Sequence, residues 1–541
     1  MPLRRLRHLF LLLLTAGLML PVLALLGAWL PWGATGGQTS QILGEMARTV
    51  LPDYVATTFW LCLGVAAGVI LVGLSTAAAV TLFEFPGRRF FEWALLLPLA
   101  MPAYVVAYAY TDFLQFSGPL QTWVRAFTGL EGRVFPEIRN TAGAAWVMTF
   151  ALYPYVYLLA RTALSERATH LMEAARLLGA PLSRRFREVA LPLARPAVAA
   201  GVALALMETL ADYGVASYFG IQTFTAGIYK AWLAMDNRIA AAQLATLLLA
   251  LVALLLWLEH RSQRRLRFVS TRLGRQAGSE VRPVPLRGGR RLAAWGVCGL
   301  PLLMGFVAPV LFMFRPLVAD WSVLPWDRFV DWSWNSVRLG VLAAVLAVAL
   351  ALLLAFSLRR VPDLLTRAVV WLAGLGYAVP GAVVVVGLLL PVGWVQAGWP
   401  DASLAYWVTA TSLGLVWAYL VRFVAVALQS VQSGYARIPA SLDDTARMLG
   451  SGDYGLLRRV HWPLLRRSAV AATLLVFVDV MKELPATLVL RPFDSDTLAV
   501  VAYQLARDER LGEAALPSLA LVLVGLIPVL LLSRTLRART G

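Results

Sequence analysis

The chain has 541 residues, of which 60% are hydrophobic and only 14% charged, and it carries a formal net charge of +18. Soluble globular chains are about half apolar and about a quarter charged, so this balance excludes an ordinary soluble domain. The basic excess sits in short segments between long apolar runs, which points to loops flanking a membrane and not to a nucleic-acid surface.

Arg4, Arg5 and Arg7 precede an apolar run over residues 9–32, longer than the apolar core of a cleaved signal peptide and long enough to span a bilayer. It reads as an anchored first span. Further spans are expected at 58–83, 90–110, 142–160, 196–219 and 240–258. An Arg-rich linker over 259–291, with Gly and Pro near its end, reads as a flexible cytoplasmic tether. Beyond it come spans at 292–314, 336–357, 368–390, 404–428, 468–490 and 514–533. The expected fold is all-α: a polytopic membrane protein of about twelve transmembrane helices in two pseudo-symmetric six-helix halves, 1–258 and 292–541. With both termini inside, most Arg and Lys fall in inner segments, as do His8, His170, His260 and His461. The two cysteines, Cys62 and Cys298, each lie in an apolar run, so neither a disulfide framework nor a thiolate metal cluster is available.

The halves are tied together by one repeated segment. Glu173 to Ala197 reads EAARLLGAPLSRRFREVALPLARPA, and Asp444 to Ser468 reads DTARMLGSGDYGLLRRVHWPLLRRS. Glu173, Gly179, Pro192 and Arg195 correspond to Asp444, Gly450, Pro463 and Arg466 at one spacing of 271 residues. Glu173 to Leu178 are good helix formers, Gly179 suits the left-handed residue that ends a helix, and Pro181 suits the start of the next. Pro192 is expected to interrupt that second helix. The segment is too charged for lipid and too short for its own core, so it needs a partner to hold its shape.

Two acid pairs stand inside apolar runs, Glu208 with Asp212 and Asp479 with Glu483, each spaced i to i+4 and so expected on one helix face. Counted from Pro196, Glu208 lies about 18 Å along its span. Intramembrane carboxylates usually face a bundle interior or a water-filled path, which makes all four candidate pathway residues. The structural alternative is neutralisation by Lys482 and hydrogen bonding between helices. No ATP site is expected: a phosphate-binding loop needs Lys after Gly, and the two lysines, Lys230 and Lys482, follow Tyr229 and Met481. Neither a catalytic centre nor a cofactor is indicated.

The repeated segment resembles the EAA loop of bacterial ABC importer permeases: EAA, three residues, Gly, nine residues, a hydrophobic residue and Pro. The first copy follows the pattern; the second replaces Glu and Ala by Asp444 and Thr445 but keeps Gly450 and Pro463. The segments ETLADYGVASYFGIQTFTAGIYKAW from Glu208 and DVMKELPATLVLRPFDSDTLAV from Asp479 are similar to the ferric-iron branch, in which fused two-half chains are typical. The resemblance implies a type I importer permease fold in the bacterial inner membrane. It also implies a cytoplasmic ABC ATPase dimer docked on coupling loops at Glu173, Gly179, Ala180, Asp444, Gly450 and Ser451, and a periplasmic or lipid-anchored substrate-binding protein. Besides membrane lipid, no other partner is implied, and nucleic acid is not one. The same architecture serves thiamine and other small solutes. A membrane transferase would want clustered acids or His in an outer loop, and a proton-coupled transporter would not explain the repeated inner loops.

Overall fold

A computed structural model describes residues 2–29, 36–166, 169–270, 283–322 and 324–537. The expected end of the first span at Trp32 and linker residues 271–282 lie outside them. In chain order the helices that matter here are α1 Pro2–Gly27, α2 Leu51–Leu82, α3 Ala103–Leu114, α4 Thr141–Glu166 and α5 Thr169–Leu177. They continue with α6 Leu182–Ala211, α7 Gly214–Phe219, α8 Arg238–Ser270 and α9 Gly289–Ala319. Then come α10 Trp326–Arg360, α11 Gly381–Gly398, α12 Ser412–Tyr435 and α13 Ala440–Met448. The last four are α14 Trp462–Lys482, α15 Pro485–Leu490, α16 Leu498–Arg507 and α17 Leu511–Arg537. Among the described residues the β-structure is one two-residue pairing, Phe83–Glu84 with Val284–Pro285.

Among the described residues ten helices are long and apolar enough to cross a membrane, and one bent pair would make eleven. The twelfth expected span, 468–490, is α14, which carries Arg466, Arg467, Asp479 and Lys482 and is too charged to count by composition. The expected span 90–110 is the bent pair, Arg88–Ala100 and Ala103–Thr128, turning through 90°. Its second-half equivalent, 368–390, is broken too, between Leu364–Gly374 and α11. The cause is the same in both. Pro102 and Pro380 stand before α3 and α11 with φ −59°, ψ 142° and φ −58°, ψ 144°, because a proline without an N–H starts a helix more easily than it continues one.

Pro192 does not interrupt its helix. α6 passes through it because a π turn at Phe186–Ala190 widens the backbone ladder just ahead of the ring. Leu456–His461 does the same ahead of Pro463. The span expected at 196–219 therefore starts earlier, at Leu182, and ends at Ala211, where Asp212 turns the chain into extended backbone.

The helices gather into two compact units, and these units do not coincide with the sequence halves. One comprises 49–226, 250–324 and 502–541. Its core is α2, α4 and α6 packed on one another, with α9 against α2 and α3, and α17 against α9. Small residues permit the approach: a Cβ on Gly73 would come within 2.7 Å of Val156 Cβ, and one on Gly201 within 2.7 Å of Val156 Cα. The other unit comprises 1–48, 227–249 and 325–501. Its core repeats the plan with α10, α12 and α14, and α1 packs on α11. Trp417 Nε1 donates to the Gly17 carbonyl at 2.8 Å, and Trp29 Nε1 to Thr246 Oγ1 at 3.0 Å, tying α1 and α8 into that unit. Each core thus borrows a first helix from the opposite half of the sequence.

Candidate functional site

The two copies of the repeated segment fold alike. α5 and α13 each end at a glycine in the left-handed region, Gly179 at φ +79° and Gly450 at φ +80°. Gly179 N donates to Arg176 O at 3.0 Å and Ala180 N to Ala175 O at 3.0 Å; Gly450 N donates to Arg447 O at 2.9 Å and Ser451 N to Ala446 O at 3.0 Å. That bonding pattern is a Schellman motif, which satisfies the last carbonyls of a helix. Open space surrounds both glycines, so a side chain there meets only the left-handed backbone penalty. Gly179→Ala and Gly450→Ala are each expected to strain the loop by about 1–2 kcal/mol. Faster limited proteolysis at the turn, with unchanged melting of the helical bundle, is the expected result; equal proteolysis would show that the turn does not need glycine.

What precedes each turn is an apolar pair facing outwards. Leu177 and Leu178 are 90% and 88% exposed, and Met448 and Leu449 are 89% and 81% exposed. Such exposure on a charged segment is a mark of a contact surface. Ala180 and Ser451 are half-buried beside the turns, and Asp444 is exposed, 3.7 Å from Arg447. Glu173 lies within α5; its side chain is outside the described residues.

The two loops are anchored differently. Asp443, not Asp444, points inwards, with its side chain 7% exposed. It accepts from Arg359 Nε at 2.8 Å and Nη2 at 3.2 Å, and it lies 3.0 Å from His461 Nε2. Arg359 also donates to the carbonyls of Ile438 and Pro439, while His461 Nδ1 meets Tyr435 Oη at 3.3 Å. Burial pushes the Asp443 carboxyl up, but the Arg359 and His461 hydrogen bonds outweigh it and hold the group below the usual carboxylate range. The first copy has Met172 and Ala190 at the positions of Asp443 and His461, both buried.

The acid pairs do not lie on shared helix faces. Glu208 and Asp479 stay helical near the ends of α6 and α14, but Asp212 and Glu483 leave the helix with ψ of 133° and 118°. Each turns to cap the short helix that follows. Asp212 Oδ2 accepts from Val215 N at 3.0 Å and Ala216 N at 3.2 Å; Glu483 accepts from Ala486 N at 2.9 Å and Thr487 N at 3.0 Å. Glu483 also pairs with Arg422 Nη1 at 2.9 Å, their side chains 2% and 10% exposed. Arg422 was legible as a charge inside an apolar run; Asp443 was hidden beside the more conspicuous Asp444.

Residues 69–268, from α2 through the first loop to α8, match the family described as binding-protein-dependent transport system inner membrane component. Over these residues the chain is similar to binding-protein-dependent permeases. The permease is 25% identical over 493 residues to the Fe(3+)-transport system permease protein FbpB 2 of Haemophilus influenzae, covering 90% of each chain. It is 24% identical over 514 residues to the probable ABC transporter permease protein y4fN of Sinorhizobium fredii, covering 88% of this chain and 86% of that one. It is 30% identical over 177 residues to the sulfate transport system permease protein CysT of Escherichia coli, covering 32% of this chain and 57% of that one. It is a multi-pass membrane protein and a transport subunit.

Proposed function

We propose that the permease forms the membrane pathway of an ABC importer carrying ferric iron across the bacterial inner membrane. Both termini lie in the cytoplasm, a separate ATPase dimer binds beneath the two loops, and a binding protein delivers substrate from outside. The observation that carries the coupling is the recurrence, in both loops, of an exposed apolar pair followed by a glycine turn: Leu177, Leu178 and Gly179, then Met448, Leu449 and Gly450. Two like surfaces on a pseudo-twofold repeat suit two like partners. ATP hydrolysis belongs to that dimer, because this chain has no Gly-Lys phosphate loop. The iron assignment is supported by the name of the Haemophilus influenzae relative, similar over 90% of the chain, and by acids at Glu208, Asp212 and Asp479, which suit a hard cation better than an anion. Glu483 is already engaged by Arg422, so the pathway reading rests chiefly on the other three.

The test is reconstitution of the permease, with and without its ATPase, in liposomes containing the binding protein. ATP-dependent radio-iron uptake and no ATP turnover by the lone permease are expected. Sulfate uptake without iron uptake would establish instead the reading favoured by the CysT similarity. In a background lacking Cys62 and Cys298, single cysteines at Ala180 and Ser451 are expected to crosslink to the ATPase; failure of both in an active complex would remove the coupling assignment. Glu208→Gln with Asp479→Asn is expected to lower iron uptake while ATP turnover persists, and wild-type uptake in that variant would remove those acids from the pathway.

A further inference from the structure

The unit built on α2, α4 and α6 holds a group of phenols, three of which, Tyr104, Tyr108 and Tyr213, are apolar residues in the repeat. Tyr104 and Tyr108 share one face of α3, Tyr213 and Tyr218 flank and end α7, and Tyr503 lies on α16; none is more than 7% exposed. The Tyr108 ring lies 4.6 Å from Tyr218 and 5.7 Å from Tyr104, and Tyr213 lies 5.7 Å from Tyr503. Tyr503 Oη is 2.7 Å from Ser217 Oγ and 3.4 Å from Tyr213 Oη. Tyr108 has Tyr104, Tyr218, Tyr503 and Asp212 within electrostatic reach, yet its own hydroxyl is buried and has no hydrogen-bond partner. An orphaned buried hydroxyl is costly, and a native fold keeps one for a reason.

Asp212 completes the group. Its Oδ2 is used in capping α7, and a charged group within its reach is another carboxylate, Glu208. The repeat supplies an internal control. At the positions of Tyr104, Tyr108 and Tyr213 the other half carries Ala382, Val386 and Leu484, all buried, so packing there needs no hydroxyl. Conversely, the Arg422 that neutralises Glu483 has buried Ala151 as its first-half equivalent, so Asp212 is left without a guanidinium. One half is closed by an ion pair; the other is left as an acid among phenols.

We propose that Tyr108, Tyr503 and Asp212 form a hard-oxygen station that takes the trivalent cation in passage, with Tyr104 and Tyr213 beside them. This rests on the ferric reading. Oxygen donors suit a hard cation, and each ligating phenol exchanges its proton for the metal and releases it to solvent. Two phenolates and one carboxylate cancel three positive charges, so the cation crosses the low-dielectric interior as a neutral unit. Tyr218 is the wall and not a ligand, since Arg139 donates to its hydroxyl at 3.4 Å and lies 4.9 Å from its ring.

The test adds ferric nitrilotriacetate to the purified permease–ATPase complex and records visible phenolate-to-iron charge-transfer absorption, alongside radio-iron uptake. Tyr108→Phe with Tyr503→Phe keeps the rings and their packing. The wild type is expected to show the band; the double variant is expected to lose it and to lose uptake by about ten-fold or more, with ATP turnover retained and melting lowered only slightly by loss of the Tyr503–Ser217 hydrogen bond. Asp212→Asn is expected to lower uptake as well. A band retained in the double variant, or iron uptake equal to wild type, overturns the station while leaving ferric import standing. A wild-type complex that moves no iron overturns the ferric reading itself, and the station with it.

Discussion

Glu483→Ala is expected to destabilise the unit containing α10, α12 and α14 by about 3–5 kcal/mol, the usual cost of stranding one member of a buried ion pair. Three losses coincide. Arg422 Nη1 loses its 2.9 Å carboxylate partner in a site where its own Nε already has no acceptor. The first-turn amides of α15, Ala486 N and Thr487 N, lose their cap. Thr487 Oγ1, which lies 2.6 Å from Tyr419 Oη, loses its 2.7 Å contact with Glu483 Oε2 and keeps only the backbone carbonyl of residue 483 at 2.8 Å. The packing is close: a Cβ on Gly381 would come within 2.8 Å of Glu483 Oε1 and 3.3 Å of Arg422 Nη1. Thermal melting in detergent checks this. Glu483→Gln, which keeps one cap acceptor and no charge, should fall between wild type and Glu483→Ala. Replacing both partners by Leu should recover part of the ion-pair share, because no buried charge is then stranded. A Glu483→Ala variant that melts with wild type would show that the pair carries no structural load and would return Glu483 to the pathway.

Asp443→Ala is expected to cost a similar amount, about 3–5 kcal/mol, and to loosen the second loop in particular. The substitution leaves Arg359 facing Tyr435, Ile438 and Pro439 carbonyls without its carboxylate and leaves the buried His461 imidazole facing Tyr435 alone. The pH dependence has a definite sign. The folded Asp443 carboxyl is held below its unfolded value, so its contribution is complete above about pH 3.9 and is lost as pH falls through the folded value. Wild type and Asp443→Asn should therefore differ in melting at neutral pH and converge only as pH falls below the usual carboxylate range. A gap that persists undiminished in acid would show that hydrogen-bond geometry, and not the carboxylate charge, holds the loop. Since the first loop has Met172 and Ala190 in place of Asp443 and His461, Met172→Leu there should be nearly neutral by comparison.

How far the sequence could be read follows from which forces act locally. Gly179 and Gly450 were legible because a left-handed helix end needs only its own residue type, and the backbone angles agree. Pro102 and Pro380 were legible as a matched pair but not as helix breaks, since a proline inside a long apolar run can be met by a kink, a π turn or a new helix start. Pro192 took the π turn and Pro102 the new start, and neighbouring packing chose between them. The i to i+4 spacing of Glu208 and Asp212 promised a shared face, but capping of α7 drew Asp212 out of the helix. Asp443 gave no local sign: its partners Arg359 and His461 lie 84 and 18 residues away.

By itself the sequence determined a polytopic helical membrane protein with an internally repeated segment and two glycine-ended loops, because apolar length, helix termination and residue spacing act along the chain. Tertiary structure alone decided that each compact core takes its first helix from the other half, that Glu483 is spent on Arg422, and that phenols from both halves gather in the unit that holds Asp212. Those outcomes depend on side chains from distant segments competing for the same buried space, and no spacing along the chain encodes which of them arrive.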